Sequence, residues 1–263
     1  MVFAFRPLFP ARALSVALLA AAMGSVPAFA DLPTNLSVSG GIALPSANTA
    51  AQTNPAGLAS QSGVNLSAQA GVHEVWDKPQ TYRAQLGAGL GIVGVAAGLE
   101  YINRVGENDK TAYYGLGVKI PFLNVGLGFA GRKELDGMKG SDYDAGFFFD
   151  PTERLRLAAT ARSLKGNVDE YGLALAFELI DGVAFTIDGA VDGDWKDNDV
   201  KPGLYIGNRF AGATVSYGTG NREQFVDDVS AGLFMRLAFF NFEFLYRAGG
   251  RFPDYYGALT VGF

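Results

Sequence analysis

The residues that could carry out chemistry in this chain are few. His73 is the single histidine, and the chain contains no cysteine. Serine catalysis needs a histidine beside the nucleophile and a third group that orients the ring. Ser62 and Ser67 lie near His73 in sequence but form no such constellation. Because cysteine is absent, a disulfide scaffold, a cysteine nucleophile and thiolate zinc or iron–sulfur sites are excluded.

Two pairs of carboxylates, Asp142 with Asp144 and Asp227 with Asp228, have a spacing compatible with acid–base catalysis or cation binding. Structural roles explain them more simply: the first pair can form ion pairs within a β-sheet, and the second can lie in a solvated loop. We therefore predict no enzymatic activity, no cofactor and no metal site. The formal net charge of −5 argues against nucleic acid as a partner, because proteins that bind it present basic surfaces.

The first thirty residues predict a secretory signal peptide. Arg6 and Arg12 form a positive n-region, and residues 13–23 form an apolar run that is too short to cross a membrane. The stretch Ala28-Phe29-Ala30 fits the small-x-small cleavage rule. We expect export and cleavage after Ala30, which would leave residues 31–263.

From residue 62 onward, apolar and polar residues alternate with a period of two, which is typical of strands. Tyr171, Leu173, Leu175, Phe177 and Leu179, for example, share one face. The apolar faces of the segments carry no Asp, Glu, Lys or Arg, whereas the opposite faces carry many. We count fourteen segments, near 62–72, 81–90, 92–102, 112–120, 123–132, 141–149, 153–163, 169–179, 182–192, 202–209, 210–218, 228–239, 241–248 and 256–263.

Alternation alone fits a soluble sandwich as well as a membrane barrel, but three further patterns favour the barrel. The first is that long, charged connections alternate with short ones, including 150–152, as extracellular loops alternate with periplasmic turns. The second is that tyrosines of the apolar faces fall at the long-loop ends of their strands, where a girdle would bury the rings and hydrate the hydroxyls. These residues are Tyr82, Tyr101, Tyr114, Tyr143, Tyr171, Tyr217 and Tyr246.

The third pattern is the C-terminus, where Leu259, Val261 and Phe263 alternate to a terminal phenylalanine. This ending resembles the C-terminal β-signal of bacterial outer-membrane proteins, which implies that the barrel-assembly machinery reads Phe263. We predict an all-β fold in which residues 62–263 form a fourteen-stranded, antiparallel, up-and-down transmembrane β-barrel in the lipid of the bacterial outer membrane. Residues 31–61 would form a short N-terminal plug.

The lumen of a fourteen-stranded barrel is too wide for its own side chains to fill, so it must hold water or a plug. Glycines cluster on the inward faces of strands two to five, and either ease strand curvature or let a plug or ligand approach the backbone. These predicted wall residues are Gly87, Gly89, Gly98, Gly115, Gly117, Gly126 and Gly128.

Inward charges nearly cancel, so they either brace the wall in pairs or form a selectivity ring. The predicted lumen charges are Arg83, Glu100, Lys119, Arg132, Asp142, Asp144, Arg154, Arg156, Glu178, Asp188, Arg236 and Glu243.

Residues 41–58 (GIALPSANTAAQTNPAGL) resemble the N-terminal hatch of FadL-type outer-membrane transporters, a superfamily that includes short, TraF-like members. Asn54, Pro55 and Ala56 match its Asn-Pro-Ala element. The resemblance implies a fourteen-stranded barrel that passes long-chain fatty acids or other hydrophobic compounds. In that family substrates leave sideways through a kinked strand, for which Gly98 is the candidate weak point. Long loops of only about ten residues depart from the pattern of the larger members.

Two functions from different classes follow from these patterns. The first is a passive outer-membrane channel for small or hydrophobic solutes, gated by a plug around Asn54, Pro55 and Ala56. The second is a structural or accessory barrel with a closed lumen that serves an assembly or secretion partner. Balanced internal charges and short loops favour the second function, whereas the glycine-lined wall and the hatch-like segment favour the first.

Overall fold

The computed structural model describes residues 41–46, 48–73, 80–104, 107–135, 141–208, 210–220, 228–249 and 254–263. Fourteen antiparallel strands close into one barrel, in which each strand pairs with its neighbours in sequence and β1 pairs with β14. The predicted fold class is confirmed. The predicted signal peptide and its cleavage site lie outside the described residues.

Two short helical turns precede the barrel, and the strands follow in an up-and-down order. Among the described residues, no helix is long and apolar enough to cross a membrane. The elements are helix α1 (Ala50–Thr53), a 3-10 helix (Pro55–Ser60), β1 (Ser62–His73), β2 (Gln80–Leu90), β3 (Val93–Arg104), β4 (Glu107–Ile120), a 3-10 turn (Pro121–Leu123), β5 (Val125–Glu134), β6 (Asp142–Thr152), β7 (Leu155–Arg162), β8 (Glu170–Ile180), β9 (Val183–Asp192), β10 (Asn198–Gly207), β11 (Ala211–Gly220), β12 (Asp228–Leu237), β13 (Phe240–Gly249) and β14 (Asp254–Gly262).

The outer surface of the barrel is apolar and its inner surface is polar. Leu66 and its ladder partner Leu86 both point outward and are 56% exposed, whereas Asn65 and Ser67 point inward and are buried. Water would penalise such an outer surface, but hydrocarbon does not. Closure of the sheet pairs the strand edges, which matters because hydrocarbon offers no partner to an open edge.

Six of the seven predicted girdle tyrosines lie toward the long-loop ends of their strands. Tyr82 and Tyr101 are ladder partners whose rings stack 6.3 Å apart. Tyr255, which lies between two of the predicted segments, belongs to β14, and its ring centroid lies 5.2 Å from that of Tyr246. The prediction for Tyr114 is wrong, because the β3–β4 ladder continues into the predicted loop and leaves this residue near the middle of β4.

The connection between β6 and β7 also differs from the prediction. A register irregularity between Phe149 and Thr152 lets β6 run on to Thr152, so the predicted turn at 150–152 belongs to the strand. The turn is formed by Glu153 and Arg154 instead. Arg154 is therefore not a lumen charge: its side chain is 56% exposed and lies 3.7 Å from Asp181 in the next short turn.

Because the outer face contacts lipid, a charged side chain on it should destabilise the barrel. Leu86→Arg should lower the free energy of unfolding in lipid vesicles by about 2–4 kcal/mol, because an arginine near the bilayer midplane loses its hydration. Denaturant titration followed by heat-modifiable electrophoretic mobility measures this change. Leu164→Arg, in the connection after β7, is the control and should leave stability unchanged. Equal stability of both variants would contradict the outward assignment.

Candidate functional site

Residues 41–61, which we call the plug segment, lead directly into β1, and those of them that the structure describes lie inside the barrel. Residues 31–40 of the predicted plug lie outside the described residues. Ala50, Ala56, Leu58 and Ala59 are completely buried. The segment contains no Asp, Glu, Lys, Arg or His. An uncharged chain of small residues therefore occupies part of the lumen.

The Asn-Pro-Ala element determines the local shape of the plug segment. Asn54 has an extended backbone (φ −150°, ψ 101°), as the residue before a proline prefers. Pro55 occupies the first position of the 3-10 helix, where its missing amide costs no hydrogen bond. The Asn54 side chain caps this helix by accepting from the Ala56 amide at 3.1 Å.

The same side chain also ties the plug segment together and to the wall. Asn54 Nδ2 donates to the carbonyl oxygen of Ile42 at 3.0 Å and to that of Phe147 in β6 at 3.2 Å. Asn54 is completely buried, so the loss of these bonds would leave carbonyl groups without partners in a dry interior.

Five glycines on five adjacent strands form a line across the inner wall beneath the plug segment. Each is the ladder partner of the next, so the line follows the hydrogen-bonding direction of the sheet. The plug backbone lies directly on this line. A Cβ atom on Gly94 would overlap the Leu58 carbonyl, and one on Gly128 would overlap the Ala56 amide. We call this line the glycine stripe: Gly89, Gly94, Gly117, Gly128 and Gly146.

The predicted wall glycines take three different positions. Gly89, Gly117 and Gly128 belong to the glycine stripe and approach the plug backbone. Gly87 faces the side chain of Asn65 in β1 and that of Gln61 in the plug segment, and Gly115 faces the Leu58 side chain of the plug.

Gly98 and Gly126 instead make room for inward aromatic side chains of the wall, Tyr113 and Phe148. Both ladders continue through Gly98, which pairs with Gln85 on one side and with Tyr113 on the other. Gly94 and Gly146 were missed in the sequence, because only cross-strand register shows that they join the line.

Two further contacts hold the plug segment to the opposite part of the wall. Asp188 in β9 accepts hydrogen bonds from the amides of Ile42 at 3.0 Å and Ala43 at 3.4 Å. Thr260 in β14 donates to the side-chain oxygen of Asn48 at 2.8 Å. The plug segment thus touches both sides of the lumen.

Most other lumen charges are paired with one another across neighbouring strands. Arg83 forms an ion pair with its ladder partner Glu100, in which Nε and Nη2 both donate to the carboxylate oxygen Oε2. Arg132 donates to Asp142 at 3.1 Å and to Asp144 at 3.4 Å. These pairs lie toward the long-loop ends of the strands and brace the wall there.

A buried cluster at the short-turn end centres on Asp150, a residue of the predicted turn at 150–152. Arg156 donates to Asp150 at 2.6 Å, and Lys119 Nζ lies 3.8 Å from the same carboxylate. The Phe148 ring packs against both cations, 4.4 Å from Arg156 Cζ and 5.8 Å from Lys119 Nζ. One carboxylate thus holds two buried cations together.

The remaining predicted lumen charges lie near the short turns. Glu178 accepts from the Gly182 amide at 3.2 Å, and Glu243 accepts from Asn241 at 2.6 Å. Arg236 is the ladder partner of Asn241.

The residues considered for catalysis form no site in the part of the chain that is described. His73 ends β1, but its side chain lies outside the described residues, as do Asp227 and the side chain of Asp228. Among the described residues, no group of three or more histidines and carboxylates converges to hold a metal ion.

Comparison with known proteins identifies the fold. No protein-family model and no curated protein matches the sequence. The CymD monoaromatic hydrocarbon channel matches with a TM-score of 0.55 and 9% identity, over 82% of this chain and 93% of that one. KdgM porin (TM-score 0.48, 6% identity) and a mutant of the Rh. blastica porin (0.49, 10%) each match over 76% of this chain and 99% of theirs. The likeness to CymD shows a shared β-barrel fold.

The glycine stripe predicts that a single methyl group disturbs the plug. Gly128→Ala should lower the free energy of unfolding by about 1–3 kcal/mol, because the new Cβ would overlap the plug backbone at Pro55 and Ala56 and push it off the wall. Thermal or denaturant unfolding measures the change. Gly257→Ala is the matched control, since its Cβ would find its nearest atom at 3.9 Å. Similar effects of the two substitutions would contradict the close contact.

The cluster around Asp150 predicts that the stability of the barrel depends strongly on this one carboxylate. Asp150→Ala should lower the free energy of unfolding by about 3–5 kcal/mol, because the buried Arg156 would lose its carboxylate partner and Lys119 would lose the carboxylate beside it. Asp181→Ala removes the exposed carboxylate near Arg154 and should cause no measurable change. Denaturant titration in vesicles compares the two, and a small effect of Asp150→Ala would show that the cations have other support.

Proposed function

We propose that the protein is a passive channel of the bacterial outer membrane for small or hydrophobic solutes and that the plug segment gates it. The observation that carries the proposal is the packing of the plug backbone on the glycine stripe. A wall without side chains offers no projections that interlock with the plug. The plug can therefore slide along it or leave without forcing wall residues into new rotamers.

The contacts of the plug segment support a displaceable gate. It is uncharged, so its displacement separates no ion pair. Three kinds of hydrogen bond fix the position of the plug segment. Asn54 donates to the wall, an amide of the plug donates to Asp188, and Thr260 donates to the plug. Once the plug has left and water fills the lumen, water replaces the lost partners, so each such bond then opposes opening by only about 0.5–1.5 kcal/mol net, and by about 1.5–3 kcal/mol where a carboxylate accepts.

The resemblance of the Asn54-Pro55-Ala56 element to the FadL-type hatch supports the passage of hydrophobic compounds. The CymD structure is described as a monoaromatic hydrocarbon channel, and its barrel fold is shared. Because both ladders continue through Gly98, the path that we propose follows the lumen axis rather than leaving sideways at that residue.

Delivery to the outer membrane completes the proposal. A signal peptide cleaved after Ala30 would export the chain. Phe263, which is exposed and stacks 6.0 Å from Phe239, would be read by the barrel-assembly machinery.

A structural barrel with a permanently closed lumen is the second candidate function. The complete burial of Asn54 and Leu58 and the paired lumen charges favour it, because both are typical of a rigid core. In that case the function of the barrel would be to bind an assembly or secretion partner and not to pass a solute.

A reversible disulfide between plug and wall separates the two functions. The Ala51 Cβ lies 3.4 Å from the position of a Cβ on Gly115, close to the spacing that a disulfide requires. The chain contains no cysteine, so Ala51→Cys with Gly115→Cys introduces the only thiol pair. In planar lipid bilayers, the oxidised protein should show no channel openings, and reduction should restore them.

The single variants Ala51→Cys and Gly115→Cys are the controls and should conduct equally with and without reductant. Equal conductance of the oxidised and reduced double variant would show that ions bypass the plug. Absence of conductance in both forms and in both single variants would favour the closed structural barrel.

A further inference from the structure

A small polar cavity lies between the plug segment and the part of the wall formed by β13, β14 and β1. The centre of a water molecule can move within about 10 Å³ of it, which is room for a single water. Its lining includes Asn48 and Thr49 of the plug segment, Gln69 of β1, Glu243 of β13 and Tyr256 of β14. We call this space the plug–wall cavity, because both the plug and the wall contribute to it.

The Asn48 side chain brings a hydrogen-bond donor to the plug–wall cavity. Asn48 is 3% exposed, and its Oδ1 accepts from the Thr260 hydroxyl at 2.8 Å. In the part of the chain that the structure describes, no protein atom completes a hydrogen bond to its Nδ2. Burial of an amide donor without a partner is costly, so this group requires one.

Two other lining residues offer acceptors. Glu243 is 5% exposed, and its Oε1 accepts from Asn241 Nδ2 at 2.6 Å, which leaves further lone pairs on the carboxylate. The Asn48 side chain lies close enough to this carboxylate to interact with it, although the two do not meet hydrogen-bond geometry. Gln69 Oε1 accepts from Arg83 Nη1 at 3.1 Å and keeps a second lone pair.

We infer that the plug–wall cavity holds one ordered water molecule and that Glu243, acting through this water on Asn48, is a positioning residue for the plug. The water accepts from Asn48 Nδ2 and donates to Glu243 and Gln69, which gives it the three partners that buried waters commonly have. Its bond to the carboxylate is charge-assisted and therefore stronger than a bond between neutral groups. A cation is disfavoured here, because Asn48 presents a donor to the cavity.

The place of Asn48 in the chain explains how this water can act on the gate. Asn48 lies just before helix α1, which begins at Ala50, and the glycine stripe contacts the 3-10 helix that follows. The water and Thr260 therefore hold one end of the helical part of the plug, while the glycine stripe holds the other. The water site does not depend on the channel function, but its role in gating rests on the function proposed above.

Exchange of the two head groups tests this pair on the full chain. Asn48→Asp keeps an acceptor for Thr260 but places a second carboxylate opposite Glu243. At mildly alkaline pH it should raise the open probability in planar bilayers about fivefold or more, because like charges repel, and it should lower the midpoint of denaturant unfolding. Asn48→Asp combined with Glu243→Gln again places one amide and one carboxylate at the cavity. It should return both quantities at least halfway to the wild-type values.

Two further variants separate this pair from a general disturbance of the plug. Glu243→Gln alone keeps the shape and an acceptor, so it should change the open probability by less than about twofold. Asn65→Asp adds the same charge at another contact with the plug, where Asn65 donates to the Gln61 side chain. Glu243→Gln should not reverse its effects, because the ladders place Asn65 opposite Gly262 and Glu243 opposite Ala258.

Water-edited solid-state NMR of the wild-type protein in lipid bilayers detects the water itself and requires no open channel. At short mixing times, polarisation should pass from water to the side-chain amide protons of Asn48. It should not pass to the backbone amide of Ala50, which is completely buried and donates to the Ser46 carbonyl oxygen at 2.8 Å.

The outcomes distinguish the water site from the channel function. Absence of polarisation transfer to Asn48 would overturn the water site. Failure of the combined variant to recover the unfolding midpoint, or recovery of Asn65→Asp by Glu243→Gln, would overturn the positioning role of Glu243. If no variant conducts, but the midpoint recovers and the transfer is seen, the water site stands and the proposed channel function fails.

Discussion

The close approach of two backbones, made possible by the missing Cβ atoms of the glycine stripe, is the contact on which the rest of the molecule depends. A plug of alanine, proline and leucine fits against the wall because Gly94, Gly117 and Gly128 leave the wall bare. Because neither surface has long side chains at this contact, the plug is held by shape and a few hydrogen bonds. On the function proposed above, the same contact would close the lumen and allow the closure to be reversed.

Lipid outside and a plug inside impose different demands on the same strands. The outer face must be apolar and the strand edges must pair, because hydrocarbon satisfies neither charges nor backbone groups. The inner face must brace a wide barrel, which it does with ion pairs such as Arg83–Glu100 and with the cluster around Asp150.

The sequence predicts what depends on local pattern. Alternation with a period of two identifies fourteen strands and their outward faces, and the Asn54-Pro55-Ala56 element identifies the helix start that shapes the plug. Contacts that depend on register are not visible in one sequence. Gly94 and Gly146 enter the glycine stripe only through cross-strand pairing, and Asp150 becomes a buried counterion only because an irregularity extends β6. The partners of Asp188 are plug amides about 146 residues away in the chain.

Solid-state NMR of the full chain in lipid bilayers tests the central claim most directly. If the plug backbone lies on the glycine stripe, through-space cross-peaks should connect the amide of Ala56 with the Cα protons of Gly128, and the amide of Ala59 with those of Gly117. These plug amides should also exchange slowly with solvent. Rapid exchange without those cross-peaks would show that the plug segment does not rest on the wall, and the account of the gate would be wrong.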